Sequence, residues 1–369
     1  MLNFIRIKCS FDFLKSIYIR NSIYYFRSLK RVWYRRKKYL ASISAILILC
    51  LLGITLGSIL GKQSNVETSR ISNSKIMNCS QWKFRSSAIT VAGGKGPGFQ
   101  FDQFRSPDGF FLDKNNAIYV ADCDNNRIMK WTKGASNGTL VAGGNQAGNR
   151  TNQFHYPVDL VLDRNDTMYI TDFRNRRVVQ WRLNAEHGEI FLSSCVFTGI
   201  GIDSNDSLYT SDWTDNEVKK WQMNKTLEQI VAFALIKPDR IFVDQDYSIY
   251  ITDRMNHRII KIEIGTEEKQ IVAGGSQGPD YSQLDSPRGV TVDQQGNVYV
   301  ADTNNHRIMR WSTGESKGTL VAGGRGVGFR SDQLNLPTDL QFDSEGNLYV
   351  ADSGNHRIQK FLIDKNSCF

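Results

Sequence analysis

A thirteen-residue segment recurs six times in this chain of 369 residues. One copy reads YVADTNNHRIMRW, and the copies begin at Tyr119, Tyr169, Tyr209, Tyr250, Tyr299 and Tyr349. The period is about 40 to 50 residues, which is the size of a structural unit made of a few short strands. Because a unit of this size buries little apolar surface alone, the copies are expected to pack against one another.

Each copy of the repeat has the pattern of four short β-strands. In the fifth copy, strand-like runs begin at Gly289, Asn297, Arg307 and Thr319, with Gly, Asn and Asp between them. Runs of this kind, bounded by turn residues, are typical of antiparallel hairpins. Four strands in each of six units predict an all-β, six-bladed β-propeller, whose ring leaves only short strand edges exposed.

The unit resembles the NHL repeat in its Tyr-Val-Ala-Asp strand, the following Asn-His-Arg-Ile and the strand after it. The resemblance runs from about residue 87 to 364 and implies an NHL-type propeller over residues 87–369. The third copy departs most from the pattern. It has Asp215 and Glu217 where other copies have Asn and Arg, and Phe197 where they have Pro.

Several repeated polar residues are predicted to be structural. Each copy has two Asp residues nine positions apart, such as Asp293 and Asp302, and most have an Arg five positions later, such as Arg307. Asp suits tight turns, and a guanidinium group can join a carboxylate to nearby carbonyls. Three histidines precede such arginines at equivalent positions of different blades, so the ring is expected to hold them apart: His257, His306 and His356. No catalytic residue, metal ligand or cofactor is predicted.

The amino-terminal region predicts a membrane anchor. Residues 41–60 contain no charged side chain, and a helix of this length spans a bilayer. The basic segment before it places that side in the cytoplasm, which gives type II topology with the propeller extracellular or luminal. The predicted parts are a tail (1–39), a signal-anchor helix (40–61) and a stem (62–86). A cleaved signal peptide is the alternative, although the sequence before the apolar run is longer than usual for one.

The net charge belongs to this tail. Residues 1–39 hold eleven Lys and Arg against one Asp, which accounts for the whole net charge of +9. A nucleic-acid-binding propeller would be expected to have a basic face, so nucleic acid is not a predicted partner. The tail either binds anionic lipid at the inner leaflet or only sets the topology.

Glycosylation sequons and cysteines after the predicted span agree with an oxidising compartment. The sequons are at Asn78, Asn137, Asn149, Asn165, Asn205 and Asn224. Four cysteines predict two disulfides. Cys79 precedes the first strand and Cys368 follows the last repeat, so a bond between them would close the ring; Cys123 and Cys195 would form the second.

One face of the propeller is predicted to bind a ligand. The fourth-to-first and second-to-third strand connections share one face, here called the connection face; the other hairpin turns form the turn face. Four sequons fall on the turn face, so glycans there would leave the connection face open. On it, large or charged residues replace small ones at equivalent positions: Phe173, Arg174, Trp213, Arg254 and Met255. Exposed aromatics and Arg often anchor ligands, although Phe173 and Trp213 would alternatively pack between blades.

Charged residues are also expected at the channel mouth, just before each inner strand: Asp108, Asp159, Asp239, Asp339, Arg240 and Arg288. They would hold a cation or polar ligand, or remain as solvated charge. The sequence therefore predicts a membrane-anchored extracellular binding or sensing module for a protein, peptide or glycan. The alternative is a metal-dependent lyase or hydrolase resembling amidoglycolate lyase, which would imply channel histidines that the inner strands do not supply.

Overall fold

The structure, a computed structural model, describes residues 83–364 except 264 and 267. These residues form 24 strands in six antiparallel sheets of four strands each. The predicted all-β, six-bladed propeller is confirmed.

The blades follow one another along the chain, and each begins with its inner strand. Blade 1 contains β2 (Pro107–Leu112), β3 (Ile118–Asp122), β4 (Arg127–Trp131) and β5 (Thr139–Gly143); blade 2 contains β6 (Pro157–Leu162), β7 (Met168–Asp172), β8 (Arg177–Trp181) and β9 (Glu189–Ser193). Blade 3 contains β10 (Phe197–Ile202), β11 (Leu208–Asp212), β12 (Glu217–Trp221) and β13 (Leu227–Ala232); blade 4 contains β14 (Pro238–Val243), β15 (Ile249–Asp253), β16 (Arg258–Ile262) and β17 (Lys269–Gly274). Blade 5 contains β18 (Val290–Val292), β19 (Val298–Asp302), β20 (Arg307–Trp311) and β21 (Thr319–Gly323); blade 6 contains β22 (Pro337–Phe342), β23 (Leu348–Asp352), β24 (Arg357–Phe361) and β1 (Ile89–Gly93). Short 3₁₀ turns join the second and third strands at Cys123–Asn125, Phe173–Asn175, Arg254–Asn256, Thr303–Asn305 and Ser353–Asn355.

The strand β1 closes the ring, as predicted. It pairs antiparallel with β24, so the start of the propeller completes its last blade. Phe84 also forms a bridge with Ile363, and the Asp364 amide donates to the Lys83 carbonyl at 2.8 Å. The closing segment therefore begins a few residues before the predicted propeller boundary at residue 87.

The repeated Asp and Arg residues form hydrogen-bonded staples. In blade 5, Asp302 Oδ1 accepts the Asp285 amide at 2.6 Å, and Oδ2 accepts Asn305 Nδ2 at 2.9 Å and Arg307 Nε at 2.7 Å. The other Asp of that repeat, Asp293, accepts the amides two and four residues later in its turn. The structural roles predicted for these residues are confirmed.

Four blades extend the staple with a long connection before the inner strand. In blade 1, Arg127 donates to the carbonyls of Phe99, Gln100 and Gln103 at 2.7 to 3.0 Å. A Cβ at Gly98 would lie 2.0 Å from Gln103 Oε1, so a larger residue there would displace the Gln103 side chain. Equivalent contacts to three carbonyls occur at Arg177, Arg307 and Arg357.

Apolar side chains fill the space between neighbouring blades. Six clusters of buried residues each join two adjacent blades, and Trp131, packed against Phe104 at a ring distance of 4.6 Å, is typical of them. Burial of this kind is the main source of stability in a repeat ring.

Part of the prediction lies outside the described residues: the tail, the anchor helix, most of the stem, Asn78, and the Cys79–Cys368 bond. Within residues 83–364, no helix is long and apolar enough to cross a bilayer.

Candidate functional site

Buried charges close the propeller axis near the connection face. We call Asp108, Asp159, Asp239, Arg240, Arg288 and Asp339 the axial cluster. Each of its four carboxylates is at most 5% exposed. The prediction gathered these residues correctly. Five of the six lie within the inner strands rather than just before them, and Arg288 precedes its strand. The interpretation as solvated charge is wrong, because the four carboxylates are buried and pair with arginines. Binding of a cation or polar ligand stays a prediction.

Two arginines hold the axial cluster together. Arg288 binds Asp108 with two nitrogens, each at 2.8 Å, and donates from Nε to Asp239 at 2.8 Å. Arg240 starts in blade 4 and crosses the axis to Asp108 in blade 1, while its Nη1 donates to Asp239 at 2.9 Å. Paired, fork-like contacts of this kind are the strong form of the ion pair.

Glycine makes room for the crossing. Gly109 occupies the blade 1 position equivalent to Arg240, and a Cβ there would lie 3.0 Å from Arg240 Nη2 and 2.4 Å from Asp159 Oδ1. Around the ring, this layer of the inner strands alternates glycine with a charged residue: Gly109, Asp159, Gly199, Arg240, Gly289 and Asp339. Because every second position has no side chain, each of the three charged side chains can extend into the space beside a glycine.

The carboxylates of the axial cluster differ in proton affinity. Burial raises the pKa of Asp159 to about 8, since Arg240 offsets the burial only in part and Asp339 adds repulsion. Burial also raises the pKa of Asp339, to about 6. For Asp239, the neighbouring arginines Arg288, Arg240 and Arg254 outweigh burial and lower the pKa. At neutral pH, Asp159 therefore carries its proton for much of the time.

A cavity of about 340 Å³ lies below the axial cluster. Its closed end is formed by Asp159, Arg240 and Asp339, and its walls are mostly apolar, with partly exposed Phe111 and Phe242. Phe342, Ile202, Val243 and Val292 also line it. The cavity shares wall residues with clefts between the hairpin turns, so it opens on the turn face. We call it the axial pocket; apolar walls with a few convergent polar groups are typical of ligand sites.

A second candidate site lies on the connection face of blades 2 to 4. The Phe173 and Trp213 rings meet edge to face at 5.6 Å, and Tyr156 lies 6.3 Å from Phe173. Cations surround these rings: Arg174 lies 5.5 Å from the Tyr156 ring, and Lys237 and Arg254 lie 5.2 and 5.9 Å from that of Trp213. Met255 is half exposed beside them. We call these residues the aromatic patch.

The aromatic patch combines the two alternatives considered for Phe173 and Trp213. Both rings are half-buried, so they pack against each other across blades 2 and 3 and still reach the surface. The buried Nε1 of Trp213 has no hydrogen-bond partner among the described residues. Arg254 links the patch to the axial cluster, because its Nη1 lies 3.6 Å from Asp239 Oδ2.

The predicted disulfide between Cys123 and Cys195 does not form: both are free thiols. Cys123 is buried and donates to the Pro157 carbonyl, as the equivalent Thr303 donates to the Pro337 carbonyl. Burial raises the pKa of Cys123 well above its usual range. For Cys195, burial followed by a hydrogen bond to Asp212 raises the pKa to about 11. Each sulfur thus has its own partner within its blade or the next.

Cys195, Asp212 and Asp215 are close enough to resemble a metal site. The Lys219 ammonium occupies the space between the carboxylates, at 2.9 Å from Asp212 and 2.8 Å from Asp215. In this repeat Glu217 stands at the position of the repeated arginine, and Lys219, two residues later, pairs with Asp212 instead. The cluster is therefore the blade 3 form of the staple.

The three repeated histidines join adjacent blades. Nδ1 of His257, His306 and His356 accepts an amide from the next connection at 3.0 to 3.1 Å. Burial lowers the pKa of His306 and His356, which keeps these rings neutral. Five sequon asparagines are exposed: Asn137, Asn149, Asn165, Asn205 and Asn224.

Some site residues were not found from the sequence. Tyr156 and Lys237 complete the aromatic patch, and Phe111, Phe242 and Phe342 line the axial pocket. An available signal was the large aromatic in the last two inner-strand positions of blades 1, 4 and 6, where other blades have smaller residues.

Comparison with known proteins supports the repeat and the fold. A profile of the NHL repeat matches residues 284–310 and 334–361. No curated protein sequence matches the chain significantly. A Bacteroides thetaiotaomicron structural genomics protein of unknown function is 17% identical, with a TM-score of 0.62 over 75% of this chain and 76% of that one.

Two further similar structures belong to proteins with an assigned role. An auxiliary nutrient binding protein from Bacteroides thetaiotaomicron is 17% identical, with a TM-score of 0.61 over 77% of this chain and 78% of its own. A putative gluconolactonase is 13% identical, with a TM-score of 0.55 over 75% and 97%. At these identities the likeness shows the fold alone.

Proposed function

We propose that this chain, two of whose repeats match the NHL profile, is a membrane-anchored binding module whose aromatic patch recognises a protein, peptide or glycan outside the cell. The observation that carries the proposal is the meeting of Phe173, Trp213 and Arg254 from three consecutive blades. Half-exposed aromatics beside arginine are the usual anchors of a binding surface. The nutrient-binding neighbour shows that a propeller of this shape occurs in a binding protein.

The charge of the aromatic patch favours an acidic protein or peptide. Arg174 and Lys237 are exposed and Arg254 is partly exposed, whereas the patch itself contains no carboxylate. Asp239, the carboxylate that pairs with Arg254, is fully buried. Complementary negative charge on a partner would speed association and fix its orientation.

The test uses immobilised peptides of equal length that are acidic, neutral or basic and share one aromatic residue. We expect the purified full-length chain to bind the acidic peptide, with binding that weakens as salt increases. Trp213→Ala should weaken binding by about ten-fold or more. Phe329→Ala is the matched control, because Phe329 is 80% exposed on a connection of blade 6, outside the patch. Equal losses in the two variants would reject the patch as the binding surface.

The location of the module is tested separately. Protease added to intact cells should remove the propeller, and enzymatic deglycosylation should lower its apparent mass. The exposed asparagines of five sequons are compatible with this. Protection from protease together with an unchanged mass would contradict an extracellular propeller.

A hydrolase or lyase acting in the axial pocket is the second candidate function. One observation favours it: Asp159 and Asp339 are buried carboxylates whose pKa values are raised to about 8 and about 6, and carboxyls with separated values are common acid and base pairs. The gluconolactonase-like neighbour has the same fold. Metal content by mass spectrometry, followed by lactone and ester hydrolysis assays, would decide this. A stoichiometric metal with activity lost in Asp159→Ala would replace the binding proposal.

A further inference from the structure

We propose that the axial pocket binds a small organic amine that carries a hydroxyl or carbonyl oxygen next to its ammonium group. The ammonium group would lie against Asp159 and Asp339, the oxygen against Arg240, and the apolar body against the phenylalanines. The pocket opens on the turn face, whereas the aromatic patch lies on the connection face. The two sites therefore open on opposite faces, and either proposal stands if the other fails.

The closed end of the pocket has too little positive charge. Asp159 and Asp339 both line it, and Arg240 is the one cationic residue in its lining. Arg240 Nε lies 3.6 Å from Asp159 and 4.0 Å from Asp339, beyond hydrogen-bond distance. The Nη nitrogens of Arg240 are already bonded to Asp108 and Asp239. An ammonium group would supply the missing charge.

The same closed end has an unused donor. Arg240 is 3% exposed, and its Nε has no hydrogen-bond acceptor among the described residues. Leaving a buried donor unsatisfied is costly, so an oxygen that accepts from it is favoured. A hydroxyl or carbonyl adjacent to the ammonium group meets this need without adding negative charge beside Asp339.

The walls suit an apolar body of modest size. Phe111, Phe242 and Phe342 come from blades 1, 4 and 6 and are each partly exposed, so part of their surface faces the cavity. The volume of about 340 Å³ is at the lower end of the range for small-molecule sites. The rings would also attract the positive charge of the amine as it enters.

Proton release is expected to accompany binding. The charged groups that face Asp159 are Arg240 from blade 4 and Asp339 from blade 6, with Asp108 on the far side of Arg240. Because burial and this incomplete neutralisation raise the pKa of Asp159 to about 8, it is mostly protonated at neutral pH. A bound ammonium favours the carboxylate, so the complex should release part of a proton per ligand.

The experiment is calorimetry of the full-length chain with four related probes. They are phenylalaninol, 2-phenylethylamine, 2-phenylethanol and 3-phenylpropionate. We expect phenylalaninol to bind most tightly, 2-phenylethylamine about ten-fold more weakly, and the alcohol and the acid weakest of all. Titrations in buffers of different ionisation enthalpy should show protons leaving the protein when either amine binds.

Two variants locate the site, and a third is the control. Asp339→Asn removes a charge at the closed end, and Phe242→Ala removes wall surface without touching the axial cluster; each should weaken phenylalaninol binding by about ten-fold. Asp280→Asn, at an exposed carboxylate of a blade 5 connection, should leave it unchanged. If Asp339→Asn does not fold, the affinity of Phe242→Ala for phenylalaninol and the proton release of the unmodified chain test the proposal. Equal affinity for the alcohol or the acid, or amine binding without proton release, would overturn the proposal.

Discussion

Blades 1, 2, 5 and 6 differ from blades 3 and 4 in what surrounds the carboxylate at the end of the second strand. In the first group, an arginine joins that carboxylate to three carbonyls of a long connection, as Arg127 does. Blade 4 keeps Arg258 but lacks the long connection, and blade 3 uses Lys219. We call the first group the stapled blades.

The difference shows how an inserted connection changes the burial of a neighbouring arginine and its expected contribution to stability. The Arg127 side chain is 7% exposed, whereas that of Arg258 is 27% exposed and has Asp253 as its one hydrogen-bond partner among the described residues. The same Asp-Arg pair is therefore buried in one setting, and in the other its arginine is partly exposed. The aromatic patch spans blades 2 to 4, and over blades 3 and 4 the connections before the inner strands are short.

The largest effect is expected for Arg127→Ala in a stapled blade. Removing the guanidinium leaves buried Asp122 uncompensated and three carbonyls without their donor, which should cost about 3–5 kcal/mol. The urea midpoint of unfolding measures this. If Arg127→Ala lost no more stability than Arg258→Ala, the difference drawn between stapled and other blades would be wrong.

A smaller loss, about 2–3 kcal/mol, is expected for Lys219→Met in blade 3. Asp212 would lose its cation but keep the Thr214 and Asp215 amides. The double variant Glu217→Arg with Lys219→Met rebuilds the repeated arginine and should recover part of the loss. No recovery would mean that Lys219 does not replace the arginine.

Arg258→Ala in blade 4 should cost about 1 kcal/mol, because a partly exposed pair is screened by water. The matched control is Lys261→Ala, which removes another cation of the same blade whose ion pair, with Glu263, is exposed. If Arg258→Ala lost more stability than Lys219→Met, the exposed fraction of the cation would not predict its contribution to stability.

The smallest effect is a difference in acid response. In Asp212, burial acts to raise the pKa, but the hydrogen bonds from Lys219 and its other neighbours outweigh it and lower the pKa below 3.8. Its contribution to stability is present above pH 3.8 and is lost as pH falls through the lower native value. In the stapled blades, burial raises the pKa of Asp122, Asp172, Asp302 and Asp352, so protonation there favours the folded state as pH falls towards 3.8. Hydrogen exchange should show blade 3 opening before the stapled blades below that pH, and the reverse order would contradict this assignment.

The repeat alone was sufficient to predict the blades, the closing strand and the Asp-Arg pairs, because these depend on spacing within one unit. The axial cluster could be predicted only in part. Arg240 contacts Asp108 from the opposite side of the ring, and no local pattern reveals that Gly109 leaves space for it. Without that contact, buried ions are indistinguishable from surface charge.

The disulfide prediction failed for a related reason. Counting cysteines treated Cys123 and Cys195 as a remaining pair, whereas Cys123 takes the hydrogen-bonding position that Thr303 occupies in blade 5. Comparing aligned positions of the six copies would have been more informative than the count. The aromatic patch was found in this way, from residues that replace small ones.

The closing strand also determines how the ring would carry mechanical load. Tension applied through the chain before Lys83 first reaches the bridge between Phe84 and Ile363 and then β1, an edge strand that is paired on one side with β24. Its backbone hydrogen bonds would bear the force before any inner strand did. If the propeller is tethered at this end and pulled by a bound partner, the pairing of β1 with β24 would break first. The aromatic patch on blades 2 to 4 would still be folded at that moment.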